Sequence, residues 1–354
     1  MSKKPFIFRL SSKDKIFFVR NLAMLLKSGI SLNEAFTTLK GNTKSASLKY
    51  ILEDVIKETE KGKFLSNSLE KFENQIGSFV IALINVGEIS GKLIDNLERI
   101  AVELRKIERL RSKVISTLIY PAFIIVTMIG IIFLVVYFLF PKILPVFENL
   151  GVELPLITKI FIKITKTFLD YGHYVLLFLF LIVLLILFLL RNSKFKYFFH
   201  KFILNFPLLS GLLKKYSLIE FARNLSILLG SGVSIVEAIN LTGQSISNYV
   251  YKKVVLEASD FVSRGHSLEE FLNKYPKLFD YNFIKMIEIG ERTGNLISNL
   301  NYLTETYEAE LDTDLERFVN LLEPIILVII AIMVSFIALS IVIPIYELSD
   351  KLTK

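Results

Sequence analysis

The chain holds 354 residues, 53% of them hydrophobic, and its 42 basic and 34 acidic side chains give a formal net charge of +8. Its mean hydropathy of +0.53 lies above the usual range for soluble domains, and the absence of cysteine excludes disulfides and thiolate metal sites. His173, His200 and His266 lie far apart and form no ligand spacing.

The N-terminal segment MSKKPFIFRLSSKDK lacks the apolar stretch and small-residue cleavage site of a secretory signal, so the first polar region is expected to stay on the side where it is made. Phe18, Leu22, Leu25 and Leu26 then recur at helix spacing. Gly29 stops that helix, since glycine readily takes the left-handed conformation of a helix C-terminus. Ser31 and Glu34 form S-x-x-E, the capping box that opens the next helix. The segment GEISG at 87–91 reads as a turn, with Ser90 as N-cap of a helix running on into an uncharged stretch. A phosphate loop is a poor reading of GEISGKL: the glycines are one residue too close, Leu93 replaces Ser/Thr, and no strand precedes it.

Residues 118–140, 174–190 and 324–343 carry no charge. At about 1.5 Å per residue, roughly 20 residues cross a ~30 Å hydrocarbon core, so these are three expected membrane spans, the middle one extended by residues 171–173. Arg99, Arg105, Lys106, Arg109, Arg111 and Lys113 precede the first span, and Arg191, Lys194, Lys196, Lys201, Lys214 and Lys215 follow the second. The intervening stretch holds only Lys142, Lys159, Lys163 and Lys166. Basic flanks mark the cytoplasmic side, so both large polar regions are expected there. Residues 141–173, broken by Pro141, Pro145 and Pro155 and carrying a small apolar patch at Val146, Phe147 and Leu150, are expected to form an external connector.

Internal repetition organises the whole chain. FVRNLAMLLKSGISLNEA at 18–35 aligns with FARNLSILLGSGVSIVEA at 221–238, an offset of 203 residues. The same offset matches Gly29, Ser31, Gly87, Glu88, Gly91 and Asn96 with Gly232, Ser234, Gly290, Glu291, Gly294 and Asn299, and Pro121 and Pro141 with Pro324 and Pro344. The expected fold is all-α: two homologous cytoplasmic helical-bundle domains of about six helices each, with three transmembrane helices. In chain order these are domain 1–117, span 118–140, external loop 141–173, span 174–190, domain 191–323, span 324–343 and external tail 344–354.

With the paired R-N-L…S-G-x-S-x-x-E-A segments and paired G-E-x-[ST]-G-x-L turns, the chain resembles the type II secretion system F family, which includes platform proteins of type IV pilus and competence-pilus machines. The segments LPLIT at 154–158 and PLLSG at 207–211 add to the resemblance, which runs from about residue 14 to 348. It implies a non-catalytic platform of the bacterial inner membrane that couples a cytoplasmic assembly ATPase to pilin or pseudopilin filaments. The implied partners are that ATPase, pilin or pseudopilin subunits, other inner-membrane assembly proteins, membrane lipid and further copies of the chain, with no nucleic acid. Some secretion relatives bind calcium through acids aligned with Glu34 and Glu88. Lys92 here replaces a third oxygen-bearing position, which opposes a site needing about 6–8 oxygens. No other cofactor is implied. The alternative function is a subunit of an oligomeric transporter or channel, although the spans lack the intramembrane charges usual in that class.

Charge separates the repeats. Residues 1–118 carry 21 basic and 13 acidic side chains, net +8, whereas 191–323 carry 15 and 16, net −1. At equivalent positions Arg105, Arg109, Arg111 and Lys113 meet Glu308, Asp312, Asp314 and Glu316. Residues 105, 109 and 113 share a helix face. These helices are therefore expected to pair, within one chain or across a dimer, although solvated faces explain the same pattern because exposed pairs contribute only ~0–1 kcal/mol each. Arg20 and Arg223, equivalent residues beside a buried stripe, read as snorkelling cations or as contacts to the ATPase or between modules.

Overall fold

A computed structural model describes residues 10–139, 141, 142, 145, 156–189 and 192–352, and among them every regular element is a helix. The first repeat contains α1 (Ser12–Lys27), α2 (Leu32–Asn42), α3 (Ala46–Thr59), α4 (Leu65–Glu70), α5 (Glu73–Ile76) and α6 (Ser78–Ile89). The long α7 (Leu93–Leu134) follows and ends in a π-helical turn, Val135–Leu139. After α8 (Leu156–Leu189) and α9 (Ser193–Leu204), the second repeat contains α10 (Pro207–Gly230), α11 (Ile235–Ser245), α12 (Tyr249–Ser263), α13 (Leu268–Leu272) and α14 (Tyr281–Thr293). It closes with α15 (Leu296–Leu352). The chain divides into two compact units, residues 1–113 with 197–313, and 114–196 with 314–354.

The first unit holds the helical bundles of both repeats. Equivalent positions supply both cores: Phe18, Leu22, Ala35, Phe36, Leu65, Leu69 and Leu97 in one, Phe221, Leu225, Ala238, Ile239, Leu268, Leu272 and Leu300 in the other, each at most 2% exposed. The first core is mainly aliphatic. In the second, Tyr251, Phe279, Phe283 and Phe221 form a ring cluster with centroids 5.5–5.9 Å apart, packing worth about 0.5–1.5 kcal/mol per aromatic pair beyond area burial.

The helix stops repeat as closely as the cores. Gly29, at φ +81°, donates to Leu26 O, while the Ile30 N–H reaches back to Leu25 O. Gly232, at φ +91°, and Val233 do the same to Leu229 and Leu228. This double bond pattern is a Schellman motif, and it requires a left-handed residue at the glycine. The serine that follows caps the next helix: Ser31 Oγ accepts from Glu34 N, and Ser234 Oγ from Glu237 N, both at 3.4 Å. Only this half of the expected box forms, because neither glutamate returns a bond to the cap. A complete box stands at Ser11 and Asp14, before α1.

Two further expectations are corrected. GEISG is only partly a turn: Gly87, Glu88 and Ile89 are the last helical residues of α6, and the turn is confined to its C-cap Ser90 and to Gly91 (φ +69°). Ser90 Oγ bonds back to Val86 O, so it serves the preceding helix, not the next one. Likewise Gly290 lies within α14, Thr293 Oγ bonds to Ile289 O, and Gly294 (φ +71°) is the left-handed cap. Secondly, residues 156–173 are helical and continuous with 174–189, although the sequence suggested a broken connector. Residues 146–155, including Val146, Phe147, Leu150 and Pro155, lie outside the described residues, as does Arg191.

In the second unit, Thr158, Phe161, Thr165 and Gly172 of α8 are buried, a spacing of three, four and seven that forms one helix stripe. Thr158 Oγ donates to Ser340 O at 3.1 Å, and the Phe161 and Phe336 rings meet edge to face at 6.0 Å. Tyr137 in the π-helical turn donates to Phe168 O at 3.1 Å. Two stretches, Leu93–Leu139 and Leu296–Ser340, are long and apolar enough to cross a membrane. Most of their apolar side chains are exposed, Phe123 by 68% and Ile332 by 64% among them, which is what lipid-facing helices require.

Substituting alanine at the α6–α7 and α14–α15 crossings tests the packing. A Cβ on Gly290 would sit 2.8 Å from Leu296 Cα, and one on Gly87 3.0 Å from Leu93 Cα, whereas Gly41 in α2 has nothing within 4 Å. Gly290→Ala is expected to destabilise the detergent-purified protein by about 1–3 kcal/mol, and Gly41→Ala to leave its thermal midpoint unchanged or raised.

Candidate functional site

The repeated G-E-x-[ST]-G segment resolves into three separate tasks. Its first glycine lets the start of the next helix approach closely. In that contact Asn96 Nδ2 donates to Leu83 O at 3.0 Å, and Asn299 Nδ2 to Met286 O at 2.9 Å. The glutamate caps a short helix that precedes it in sequence. Glu88 accepts from Leu65 N at 2.6 Å, Ser66 N at 2.8 Å and Ser66 Oγ at 2.6 Å. Glu291 accepts from Leu268 N at 2.8 Å and Glu269 N at 3.0 Å. These N–H groups are the orphan donors of a helix N-terminus, and the negative carboxylate also suits the positive end of the helix dipole. The hydroxyl and the second glycine finish the helix. Glu88 is thus already committed to three donors. Glu34 is exposed at the start of α2, and no group of three or more His, Asp or Glu side chains poised around a metal occurs among the described residues.

The candidate interaction surface is the seam where the two repeats meet inside the first unit. Helix α6 packs on α11 and touches α10. Arg99 of α7 donates to Gly230 O at 3.1 Å and Ser231 Oγ at 3.2 Å, tying the first repeat to the carboxyl end of α10. Lys113 pairs with Asp312 at 2.6 Å, so the expected basic and acidic helices approach within one chain, although one turn beyond the Arg109–Asp312 register. Arg109 and Glu316 are exposed and Arg105 is half-buried. Glu308 pairs with Arg223 of its own repeat instead, and Lys215 reaches Glu310 at 2.8 Å.

Arg223 and Arg20, equivalent in sequence, occupy different environments. Arg20 is exposed, whereas Arg223 is 4% exposed. Burial lowers the Arg223 pKa, and the nearby charges of Glu103, Tyr216 and Glu220 oppose that shift. One turn away, burial pushes the Glu220 carboxyl up to about 7 against two bonds from Ser247, N–H at 3.1 Å and Oγ at 2.7 Å. A cavity of about 550 Å³ opens at the same seam, lined by Lys15, Glu73 and Leu104 of the first repeat and Asn224, Gln244 and Lys252 of the second. Burial lowers the Lys15 pKa, and Lys252 Nζ donates to Gln244 O at 2.7 Å.

Sequence reasoning missed the Arg99 and Lys215 contacts and Glu220. The available signal was asymmetry between repeats: positions 99, 215 and 220 are Arg, Lys and Glu, while their counterparts are Tyr302, Ser12 and Phe17.

These features define a duplicated, all-helical membrane protein whose two bundles close on each other along a charged seam. The chain belongs to the Type II secretion system (T2SS), protein F family, which matches it twice, over residues 18–141 and 221–344. It is 28% identical to a type II secretion system protein F of Aeromonas hydrophila, over 96% of this chain and 87% of that protein. It is also 28% identical to the type IV pilus assembly protein PilC of Thermus thermophilus, over 96% and 84%. Against PilC of Pseudomonas aeruginosa the identity is 25%, over 97% and 91%.

The seam's charges differ in expected weight. Glu308→Gln leaves the Arg223 guanidinium buried without its counter-charge and is expected to cost about 3 kcal/mol, the low end for a broken buried pair because Glu308 itself is partly exposed. Lys113→Ala removes a half-exposed pair and is expected to cost under ~1 kcal/mol; thermal or urea unfolding of the purified protein reads both. Glu220 gives a pH signature. Its folded pKa exceeds the ordinary 4.5, so the folded state binds the extra proton and stability falls as pH rises from about 4.5 through about 7. Glu220→Gln is expected to flatten that slope, and an unchanged slope would refute the assignment.

Proposed function

We propose that the chain is a non-catalytic platform of the bacterial inner membrane, coupling a cytoplasmic assembly ATPase to the polymerisation of pilin or pseudopilin subunits. The supporting observation is the match, over almost the whole chain and in both repeats, to proteins named for type II secretion and type IV pilus assembly. Three spans are proposed: the two long apolar stretches and, between them, 174–190, of which 174–189 lie in α8. The basic flanks favour placing both bundles in the cytoplasm. Helices α7 and α15 run without a break through Val114 and Asp314, from bundle into span. That continuity suits a part that passes a displacement along a rod. The chemistry of the seam agrees with this reading, since its contacts hold helices in register: Asp312 pairs with Lys113, and Glu220 accepts from Ser247. The ATPase, the filament subunits and further inner-membrane assembly proteins are the proposed partners.

In a bacterium lacking this chain, re-expression is expected to restore filament assembly or secretion, while the purified protein in liposomes hydrolyses no ATP and passes no solute. Solute flux through such liposomes, with no rescue of filaments, would replace the platform with the transporter reading. Protease digestion of inverted vesicles is expected to reach both bundles, and protection of one would overturn the topology.

A further inference from the structure

The two repeats meet through unlike surfaces. Repeat 1 offers α6 and the first half of α7, and repeat 2 offers α10 and α11. A twofold relation would also pack α2 on α14, as α11 packs on α6. Among the described residues there is no comparable contact between those two helices. The pairing is therefore heterologous: each repeat fills one of two matching faces and leaves the other uncovered.

Exposure follows this pattern position by position. On the α10 side of the seam Arg223 and Ile227 are 4% and 9% exposed, while their counterparts on α1 are the exposed Arg20 and Met24, the latter at 54%. On the α6–α7 side Val86 and Ile94 are half-buried, while their counterparts Ile289 and Ile297 are 42% and 40% exposed. Tyr302, the counterpart of the docking residue Arg99, is 57% exposed. Met24, Ile289 and Ile297 thus stand uncovered at positions that are buried or half-buried in the other repeat, while Arg99, like Tyr302, stays exposed at the rim of the seam.

We infer that these two uncovered faces pair with each other between copies, α14 and the start of α15 of one chain docking on α1 and α2 of the next. The geometry is that already used inside the chain, so no new surface shape is needed. Charge selects the occupant. The first repeat carries a net +8 over residues 1–118 and the second −1 over 191–323. Like repeats of two copies repel or gain nothing, while unlike repeats attract. Around the uncovered faces, Lys13 and Arg20 of α1 are exposed cations, and Glu305 opens the exposed acidic flank of α15 that such docking would bring to them. A heterologous contact of this kind propagates head to tail, closing into a ring or running on as an array. The inference rests on the duplicated bundle and not on the platform reading.

The native chain contains no cysteine, so introduced thiols report single pairs. Ser28 and Tyr302 are the counterparts of Ser231 and Arg99, which touch within the chain. Differently tagged Ser28→Cys and Tyr302→Cys chains, co-expressed and treated in native membranes with a short bismaleimide, are expected to give a linked pair carrying both tags. Either variant expressed alone is expected to give at least tenfold less. Adding Met24→Arg to the Ser28→Cys chain is expected to cut the mixed pair at least tenfold. An Arg99→Cys/Ser231→Cys chain, linking within itself, shows that the reagent reaches the seam. The inference is overturned if that control links while no mixed pair forms, or if Tyr302→Cys alone links as strongly as the mixture.

Discussion

The constraint on which each bundle depends is the close crossing at Gly87 and, in the second copy, Gly290. With only a hydrogen where other residues carry a Cβ, α6 approaches α7 so closely that an alanine Cβ would stand 3.0 Å from Leu93 Cα, and α14 approaches α15 to a distance, 2.8 Å from Leu296 Cα, at which it would collide with backbone. Backbone collisions relax poorly in close-packed interiors. The glutamate one residue later then reaches a helix 23 residues upstream. Two elements distant in sequence are fixed by neighbouring residues of a single turn. Asn96 and Asn299 secure the far side of the crossing by bonding to carbonyls inside the preceding helix, which is why a polar amide is tolerated there at low exposure. A close helix crossing, a short-helix cap and a helix stop thus share one five-residue segment.

Upon this common frame the two bundles have diverged where they face each other. The first keeps a mainly aliphatic core and an exposed Arg20; the second has an aromatic cluster in its core and buries Arg223. Burying a guanidinium is unfavourable unless a carboxylate accompanies it, and position 308 supplies one where its counterpart is Arg105. The acidic character of α15 is therefore explained in part inside its own repeat. Asp312 answers the first repeat directly, through Lys113.

Much of this was legible in the sequence, and the illegible parts share a cause. The offset of 203 residues located both bundles, and the glycine–serine stops predicted helix ends because only glycine accepts the left-handed conformation without penalty. GEISG misled because glycines near a serine resemble a turn, and local sequence does not reveal that the first glycine answers to a helix packed across it. Glu34 formed half a box for a similar reason: the motif names the acid but not whether the solvent-exposed carboxylate folds back. Residues 156–173 were hidden by Pro141, Pro145 and Pro155, which drew attention from a stripe of small and apolar residues at 158, 161, 165 and 172. The seam's partners were predicted from alignment, yet alignment pairs equivalent positions, whereas a heterologous contact joins inequivalent ones. That is why Lys113 meets Asp312 and Arg99 meets Ser231.

The charged seam supplies orientation more than stability. A half-exposed pair such as Lys113–Asp312 contributes under ~1 kcal/mol, against about 1.5–3 kcal/mol for each large apolar side chain fully buried. The packing of α6 on α11 therefore does more than the ion pairs to hold the bundles together. That contact alone would be promiscuous, because the same apolar positions recur at the same spacing in both repeats. Charge removes the degeneracy: a basic first repeat cannot pack on its own likeness without repulsion, and an acidic α15 rewards approach by the other kind. Duplication creates two interchangeable surfaces, and the divergence in charge determines which of them meet.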